Sequence, residues 1–333
     1  MVTLASRPDG RPTPGNFGLD EQPAGEPGPG QVLVRNVYMS VDPAMRGRME
    51  PTEKHYTTNF SIGGPLDGSA IGRVIVSRAD GFVAGDFVRH RLGWRDYALV
   101  DAAAATVVDP ALAPLPSWLG VLGQTGFTAY AGLRRAGDIQ PGDVVFVSAA
   151  AGAVGSTAGQ LARLLGAARV IGSAGGAAKS RLLVDELGFD AAVNYKADDW
   201  ARQIDEATPD GIDVQFENVG GPVLNHCISR INRDGRVVLS GIMSQYGGAG
   251  APELDLFPLI VARGLMRAFI VFDHQDRYAE AVDHLGGLVS SGRLKTRETV
   301  VEGLQNTLSA LNDLYDGRNT GKLVVHVADP EPN

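Results

Sequence analysis

The sequence predicts an α/β protein in which a doubly wound parallel sheet is inserted into a mostly β domain. Three observations predict it. Between about residue 120 and residue 290, short apolar strands alternate with amphipathic helices, the pattern of a parallel sheet with right-handed crossovers. Before residue 120 the strands are short and separated by turns, with no helical period between them. A glycine-containing turn at 148–155 lies between a buried strand and a helix, where a phosphate-binding loop belongs. At 333 residues the chain is too long for one small core and fits more than one domain.

Residues 1–30 are rich in Pro and Gly and read as irregular chain ending in Glu26-Pro27-Gly28-Pro29-Gly30. Strands are predicted over 31–38, 72–77, 87–92 and 97–100, separated by turn signals such as Ala79-Asp80-Gly81 and Ala84-Gly85-Asp86. A helix is predicted over 124–133. Pro141-Gly142-Asp143 then turns into a buried strand over 144–148. The next helix places Val154, Ala158, Leu161 and Leu165 on one face, with Gly166 at its C-cap. Strands over 169–172, 191–194, 213–217, 235–241 and 268–272 alternate with helices over 179–187, near 198–207, and from Pro222 onward. The last of these helices carries Leu224, Cys227, Ile228 and Ile231 on one side. Helices over 278–289 and 304–315 and a strand over 322–327 complete the chain. The last two elements are expected to return to the first domain. The expected boundaries are 1–121 for the first part of the β domain, 122–295 for the nucleotide-binding domain, and 296–333 for the returning segment.

Thirty basic against 38 acidic residues give a formal charge of −8, which disfavours nucleic acid and anionic membrane as partners. The N-terminus has no apolar h-region and no run of about 18 apolar residues occurs, so no membrane span is expected and the expected location is cytoplasmic. The one cysteine, Cys227, excludes an intrachain disulfide.

Against the pattern G-x-G-x-x-G, the turn reads Ala150-x-Gly152-x-x-Gly155. The second glycine lets the backbone approach a pyrophosphate, the third lets helix and strand pack closely, and the helix N-terminus supplies free N–H groups. Replacing the first glycine by Ala150 requires that position to keep φ below zero. An NAD site carries an acid at the end of the second strand. Here Ile171-Gly172-Ser173-Ala174-Gly175-Gly176 has none, and Lys179 follows, so NADP (as NADPH) is the expected cofactor.

Several blocks together resemble the zinc-independent medium-chain dehydrogenase/reductase family, in the subgroup of prostaglandin reductases (leukotriene B4 12-hydroxydehydrogenases), plant double-bond reductases and curcumin reductase. They are Tyr38-Met39-Ser40-Val41-Asp42-Pro43-Ala44-Met45-Arg46, Gly123–Tyr130, Ala149–Gly155, Asn218-Val219-Gly220-Gly221, Gly241–Tyr246 and Asn319-Thr320-Gly321-Lys322. The resemblance runs from about residue 30 to 327. It implies a Rossmann sheet inserted into a GroES-like catalytic domain, and a homodimer. It also implies that Gly152, Ala153, Val154 and Gly155 line the pyrophosphate and that Lys179 and Tyr195 hold the 2′-phosphate end. Asn218, Ser240, Gly241, Ile242, Ser244, Tyr246, Ile270, Val271, Phe272 and Asn319 would complete the cofactor site. Gly247 departs from the subgroup, many members of which carry Asn there.

A structural zinc lobe needs four thiolates and this chain has one cysteine, so no metal is expected. Without a Lewis acid, an α,β-unsaturated ketone or aldehyde is the easier electrophile, because hydride at the β-carbon leaves an enolate. The expected reaction is therefore reduction of the C=C bond of an enone or 2-alkenal, with protonation at the α-carbon. Tyr246 is the candidate proton donor or enolate stabiliser; the alternatives are that it only lines the pocket and that the 2′-hydroxyl of the nicotinamide ribose or a water delivers the proton. Tyr56 and Arg46 are candidates for the substrate pocket, with purely structural roles as the alternative. A quinone reductase of the same fold and a crystallin-like binding protein without activity are the competing readings.

Overall fold

The computed structural model describes residues 1–51, 57–245 and 253–329. The chain divides into two compact units. One is Met1–Leu119 with Glu298–Asn333, and the other is Gly120–Arg297.

The first unit opens with β1 (Val2–Leu4) and β2 (Phe17–Leu19), an antiparallel pair. It continues through β3 (Gln31–Ser40), helix α1 (Ala44–Arg48), β4 (Ala70–Ser77), β5 (Phe87–His90), β6 (Tyr97–Asp101) and β7 (Thr106–Val107). Strand β3 is its hub, pairing antiparallel with both β4 and β6. Two register shifts in the β3–β4 ladder let so long a strand bend, as bulges do. Alternate residues Val32, Val34, Val74, Val88, Ala98 and Val100 point inward and form one apolar cluster, the period of two that strands impose.

The second unit begins with α2 (Gln124–Ala131), which continues into a π-helical turn over Gly132–Ala136. Then come β8 (Val144–Val147), α3 (Ala153–Leu164), β9 (Arg169–Ala174), α4 (Ala177–Arg181), β10 (Ala191–Asn194), α5 (Trp200–Ala207), β11 (Ile212–Glu217), α6 (Gly221–Ser229), β12 (Ile231–Leu239), α7 (Phe257–Ala262), β13 (Leu265–Ala268) and α8 (Tyr278–Ser290). The six strands lie in the order β10-β9-β8-β11-β12-β13 and every pairing is parallel. In chain order within the sheet this is 3-2-1-4-5-6, with the order reversing between β8 and β11. Phe146, Val147, Ile171, Val193, Val214, Phe216, Val237 and Val238 are all buried, as strands covered on both faces require.

The chain returns to the first unit through β14 (Glu298–Glu302), α9 (Thr307–Tyr315) and β15 (Lys322–His326). Strand β15 pairs with both β14 and β3, closing a seven-strand sheet. Among the described residues, no helix is long and apolar enough to cross a membrane.

Two expectations need correction. Ile231 belongs to β12, because α6 ends at Ser229. It reaches the same apolar cluster as Leu224, Cys227 and Ile228, but from the strand side. The strand expected over 268–272 lies instead at Leu265–Ala268, and Val271–Arg277 is 3-10 helical. The sequence reading placed no helix at Phe257–Ala262. That helix ends with Arg263 in the left-handed region (φ +56°), and β13 starts two residues later.

Candidate active site

The glycine-containing turn begins where β8 ends. The N–H of Ser148 donates to Phe216 C=O (3.0 Å), and that of Ala150 to Ser173 C=O (2.9 Å), so the loop is tied to both neighbouring strands. The left-handed residue of this turn is Ala149, at φ +47°. For a residue with a Cβ that conformation costs on the order of 1 kcal/mol. Gly152 caps α3, whose first turn carries no side-chain cap and keeps its N–H groups for another acceptor. A Cβ on Gly155 would lie 2.4 Å from Ala149 C=O, so only glycine lets the helix come this close.

At the end of β9, Gly175 and Gly176 turn into α4. A Cβ on Gly175 would stand 2.9 Å from Tyr195 Oη and 3.0 Å from Lys196 Cε. Asn194 Oδ1 fixes this corner, accepting from the N–H groups of Gly176 (2.7 Å) and Lys196 (3.2 Å). Burial, and then the charge of Lys196, push the Lys179 ammonium below its ordinary range. Lys179, Tyr195 and Lys196 therefore share one corner, with no acid at the end of β9. The sequence reading missed Lys196. Its signal was its position, directly after Tyr195 at the carboxyl end of the third strand.

The reversal of strand order holds the densest polar network. Glu217, last residue of β11, is fully buried. Its Oε1 accepts from Ser148 Oγ (2.7 Å), Val219 N–H (2.6 Å) and Gly220 N–H (2.7 Å), and its Oε2 from Gln215 Nε2 (2.6 Å). Burial pushes its carboxyl above the usual range, while these donors pull the other way. Asn218 donates from its N–H to Ser148 Oγ and from Nδ2 to Ser148 C=O, both at 2.8 Å. Ser240 and Gly241, after β12, donate their N–H groups to Glu217 C=O (2.9 and 3.1 Å), and the Ser244 N–H donates to Val219 C=O (2.9 Å). Thus Asn218, Ser240, Gly241, Ile242 and Ser244 come together at the carboxyl end of the sheet. Ile270, Val271 and Phe272 follow β13 and open the 3-10 segment. Ser148 and Glu217 were not singled out from sequence. A Glu ending a strand just before the Asn218-Val219-Gly220-Gly221 block was the available signal.

In the other unit, Arg46 is almost fully buried. Its guanidinium donates to Gly10 C=O (2.9 Å) and Pro8 C=O (3.4 Å) and pairs with Glu50, so its donors hold the N-terminal segment. Asn319 is buried and donates to Gly321 C=O (3.0 Å). Two blocks of the family resemblance meet here. Lys322 Nζ donates to Val41 C=O (3.0 Å) and to Asp42 Oδ1 (2.7 Å), and the Ser40 hydroxyl donates to Asp42 Oδ2. Tyr56 and Tyr246 lie outside the described residues.

For zinc the residues do not fit. The one thiol, Cys227, lies on the buried face of α6, and its pKa is pushed up by burial. Among the described residues, no three His, Cys, Asp or Glu side chains lie close enough to share an ion.

Comparison with known proteins follows this geometry. Residues 1–108 match the family described as the N-terminal domain of oxidoreductase, and residues 153–286 that described as zinc-binding dehydrogenase. NADPH-dependent curcumin reductase of Escherichia coli is 40% identical over 98% of this chain and 96% of its own length. The NADP(+)-dependent 2-alkenal reductase of Nicotiana tabacum is 38% identical over 90% of this chain and 88% of its own. The crystal structure of CurA from Vibrio vulnificus in complex with NADPH superposes with a TM-score of 0.92 at 39% identity, covering 99% of each chain. The chain belongs to the medium-chain dehydrogenase/reductase family, in its zinc-independent double-bond reductase subgroup.

Proposed function

We propose that this protein is an NADPH-dependent reductase of the C=C bond of α,β-unsaturated ketones and aldehydes. The observation that carries the reading is the likeness, along almost the whole chain, to NADPH-dependent curcumin reductase, with 2-alkenal reductase beside it. The chain's own residues fit the nucleotide. Gly152 leaves the start of α3 uncapped by a side chain, Gly155 lets that helix pack against the loop, and Lys179, Tyr195 and Lys196 share a corner whose two cations suit a 2′-phosphate. When bound, NADPH supplies the hydride that the substrate's β-carbon accepts.

The protein's part is to bind and orient. The N–H groups at the start of α3 would hold the pyrophosphate, and the loops after β11 and β12 would border the nicotinamide half. Tyr246, whose phenol O–H can donate, delivers the proton to the α-carbon or stabilises the enolate oxygen. The initial rate of NADPH loss, with a 2-alkenal, a cyclic enone and a quinone, tests the reading. The expected outcome is turnover of the enal or enone to a saturated carbonyl, little use of NADH, and slower turnover in Tyr246→Phe. Activity on the quinone alone would overturn the substrate class, and undiminished turnover in Tyr246→Phe the role of the phenol.

A homodimer is part of the same proposal. Strand β13 is the end strand of its sheet. Beside it Leu256, Phe257, Ile260, Val261 and Leu265 are exposed, an apolar strip suited to a second copy of this chain. Light scattering is expected to give the mass of two chains, and a single-chain mass at micromolar concentration would refute it.

A further inference from the structure

Three loops meet at Glu217. Ser148 starts the phosphate loop after β8, Val219 and Gly220 lie in the turn after β11, and Ser240 and Gly241 begin the loop after β12. Glu217 takes the first two groups through its side-chain carboxylate and the third through its backbone C=O. We propose that Glu217 is a positioning residue for the nicotinamide cofactor, holding the loops after β8 and β11 in one arrangement through Ser148, Val219 and Gly220.

The inference rests on the NADPH reading. Its argument is chemical. Among the described residues no cation hydrogen-bonds or pairs with Glu217; a carboxylate buried in this way is a costly group, and the sheet would close more easily over an apolar side chain. Its four donors are neutral, and three of them converge on one oxygen. Only an acceptor with several lone pairs can gather them, and an ionised carboxylate binds such donors more strongly than a neutral group does. Ser148 extends the grip. Its hydroxyl donates to Glu217 and accepts the N–H of Asn218 (2.8 Å), so one side chain links the ends of β8 and β11. These strands flank the reversal of strand order, where open α/β sheets bind their ligands. Removing the carboxylate therefore releases the walls of the cofactor groove before it releases the sheet, whose strands keep their own ladders.

The test compares Ser148→Ala, Glu217→Gln and Glu217→Leu with the wild type. It reads the NADPH dissociation constant by nucleotide fluorescence, KM for NADPH, kcat and Tm. Glu217→Gln keeps an oxygen where Oε1 lies and should stay within about threefold of wild-type affinity. Ser148→Ala should weaken NADPH about tenfold, and Glu217→Leu by more, with KM rising further than kcat falls. Adding Ser148→Ala to Glu217→Leu should cost little more, because the two act through one bond. If Glu217→Leu does not fold, the other two variants decide. Lower Tm with NADPH affinity unchanged in Ser148→Ala and Glu217→Leu would make Glu217 a structural pin and overturn the inference alone. A wild-type protein that does not bind NADPH would instead remove the cofactor reading beneath it.

Discussion

Asp42 in the first unit and Glu217 in the second each sit within a polar network, and the two carboxylates are treated in opposite ways. Asp42, beside β3, faces the ammonium of Lys322, whose side chain is 4% exposed. Burial pushes the Asp42 carboxyl up, but the charge and hydrogen bond of Lys322, the Ser40 hydroxyl and the charge of Arg91 together bring it below the usual range. Glu217, at the end of β11, has only neutral donors among the described residues and stays above the usual range. A charge answered by a charge locks the chain, here tying the segment after β3 to the returning strand β15. A charge answered by N–H and O–H groups of loops organises those loops, and it leaves the ionised form more costly. Hence the first arrangement serves stability and the second serves a binding surface.

The largest effect that would break this comparison is expected at Lys322. Lys322→Met keeps the length and apolar stem but leaves Asp42 without its cation. Breaking a buried pair from one side costs about 3–5 kcal/mol, and the partial exposure of Asp42 (31%) places this case near about 3 kcal/mol. Urea unfolding at pH 7 reads it directly. The pH dependence sharpens the contrast. Asp42 is depressed in the folded state, so its contribution is full above the unfolded carboxylate value of about 4 and is lost as pH falls through the lower folded value. Glu217 is raised, so its contribution improves as pH falls through its folded value toward the unfolded one. Lys322→Met should move Asp42 toward the Glu217 case, with only the Ser40 hydroxyl and the charge of Arg91 left to lower it, and flatten the loss of stability in acid. A variant as stable as the wild type at pH 7 would show that the pair does not lock the chain.

What could be read from the sequence divides along similar lines. The parallel sheet was legible because its strands are buried on both faces and its helices carry an apolar stripe. The run 191–194 was placed without error, as β10. Failures arose where one residue satisfied two periods. Ile231 sits three residues after Ile228 and so fits the face of α6, yet it starts β12. The apolar run 268–272 reads as a buried strand, but the strand lies at Leu265–Ala268, and Leu265 is exposed on a sheet edge that composition does not reveal. In the phosphate loop, the glycine pattern located the turn, but the strained residue is Ala149 rather than its neighbour. Its φ depends on ties to β9 and β11, which no local pattern encodes. Glu217 was hidden for the same reason, since its meaning lies in Ser148, 69 residues away in the chain.

Cations differ between the units as the carboxylates do, and the smallest expected effect follows from that. Lys322 faces an acid, whereas Lys179 is held near a second lysine, whose charge adds to burial in pushing its pKa down. Like charges gathered in one corner weaken the fold slightly. A bound 2′-phosphate, which NADH lacks, would reverse the sign of that term. Lys179→Ala therefore tests that term through nucleotide binding. It should raise the dissociation constant for NADPH about tenfold, roughly 1.4 kcal/mol, while leaving that for NADH within about twofold. Raising the salt concentration should narrow the NADPH difference, since this corner is partly open to water and its charges are screened. Fluorescence titration of both nucleotides, at two salt concentrations, measures all of this. Equal losses for NADPH and NADH would mean that Lys179 supports the turn after β9 rather than the phosphate.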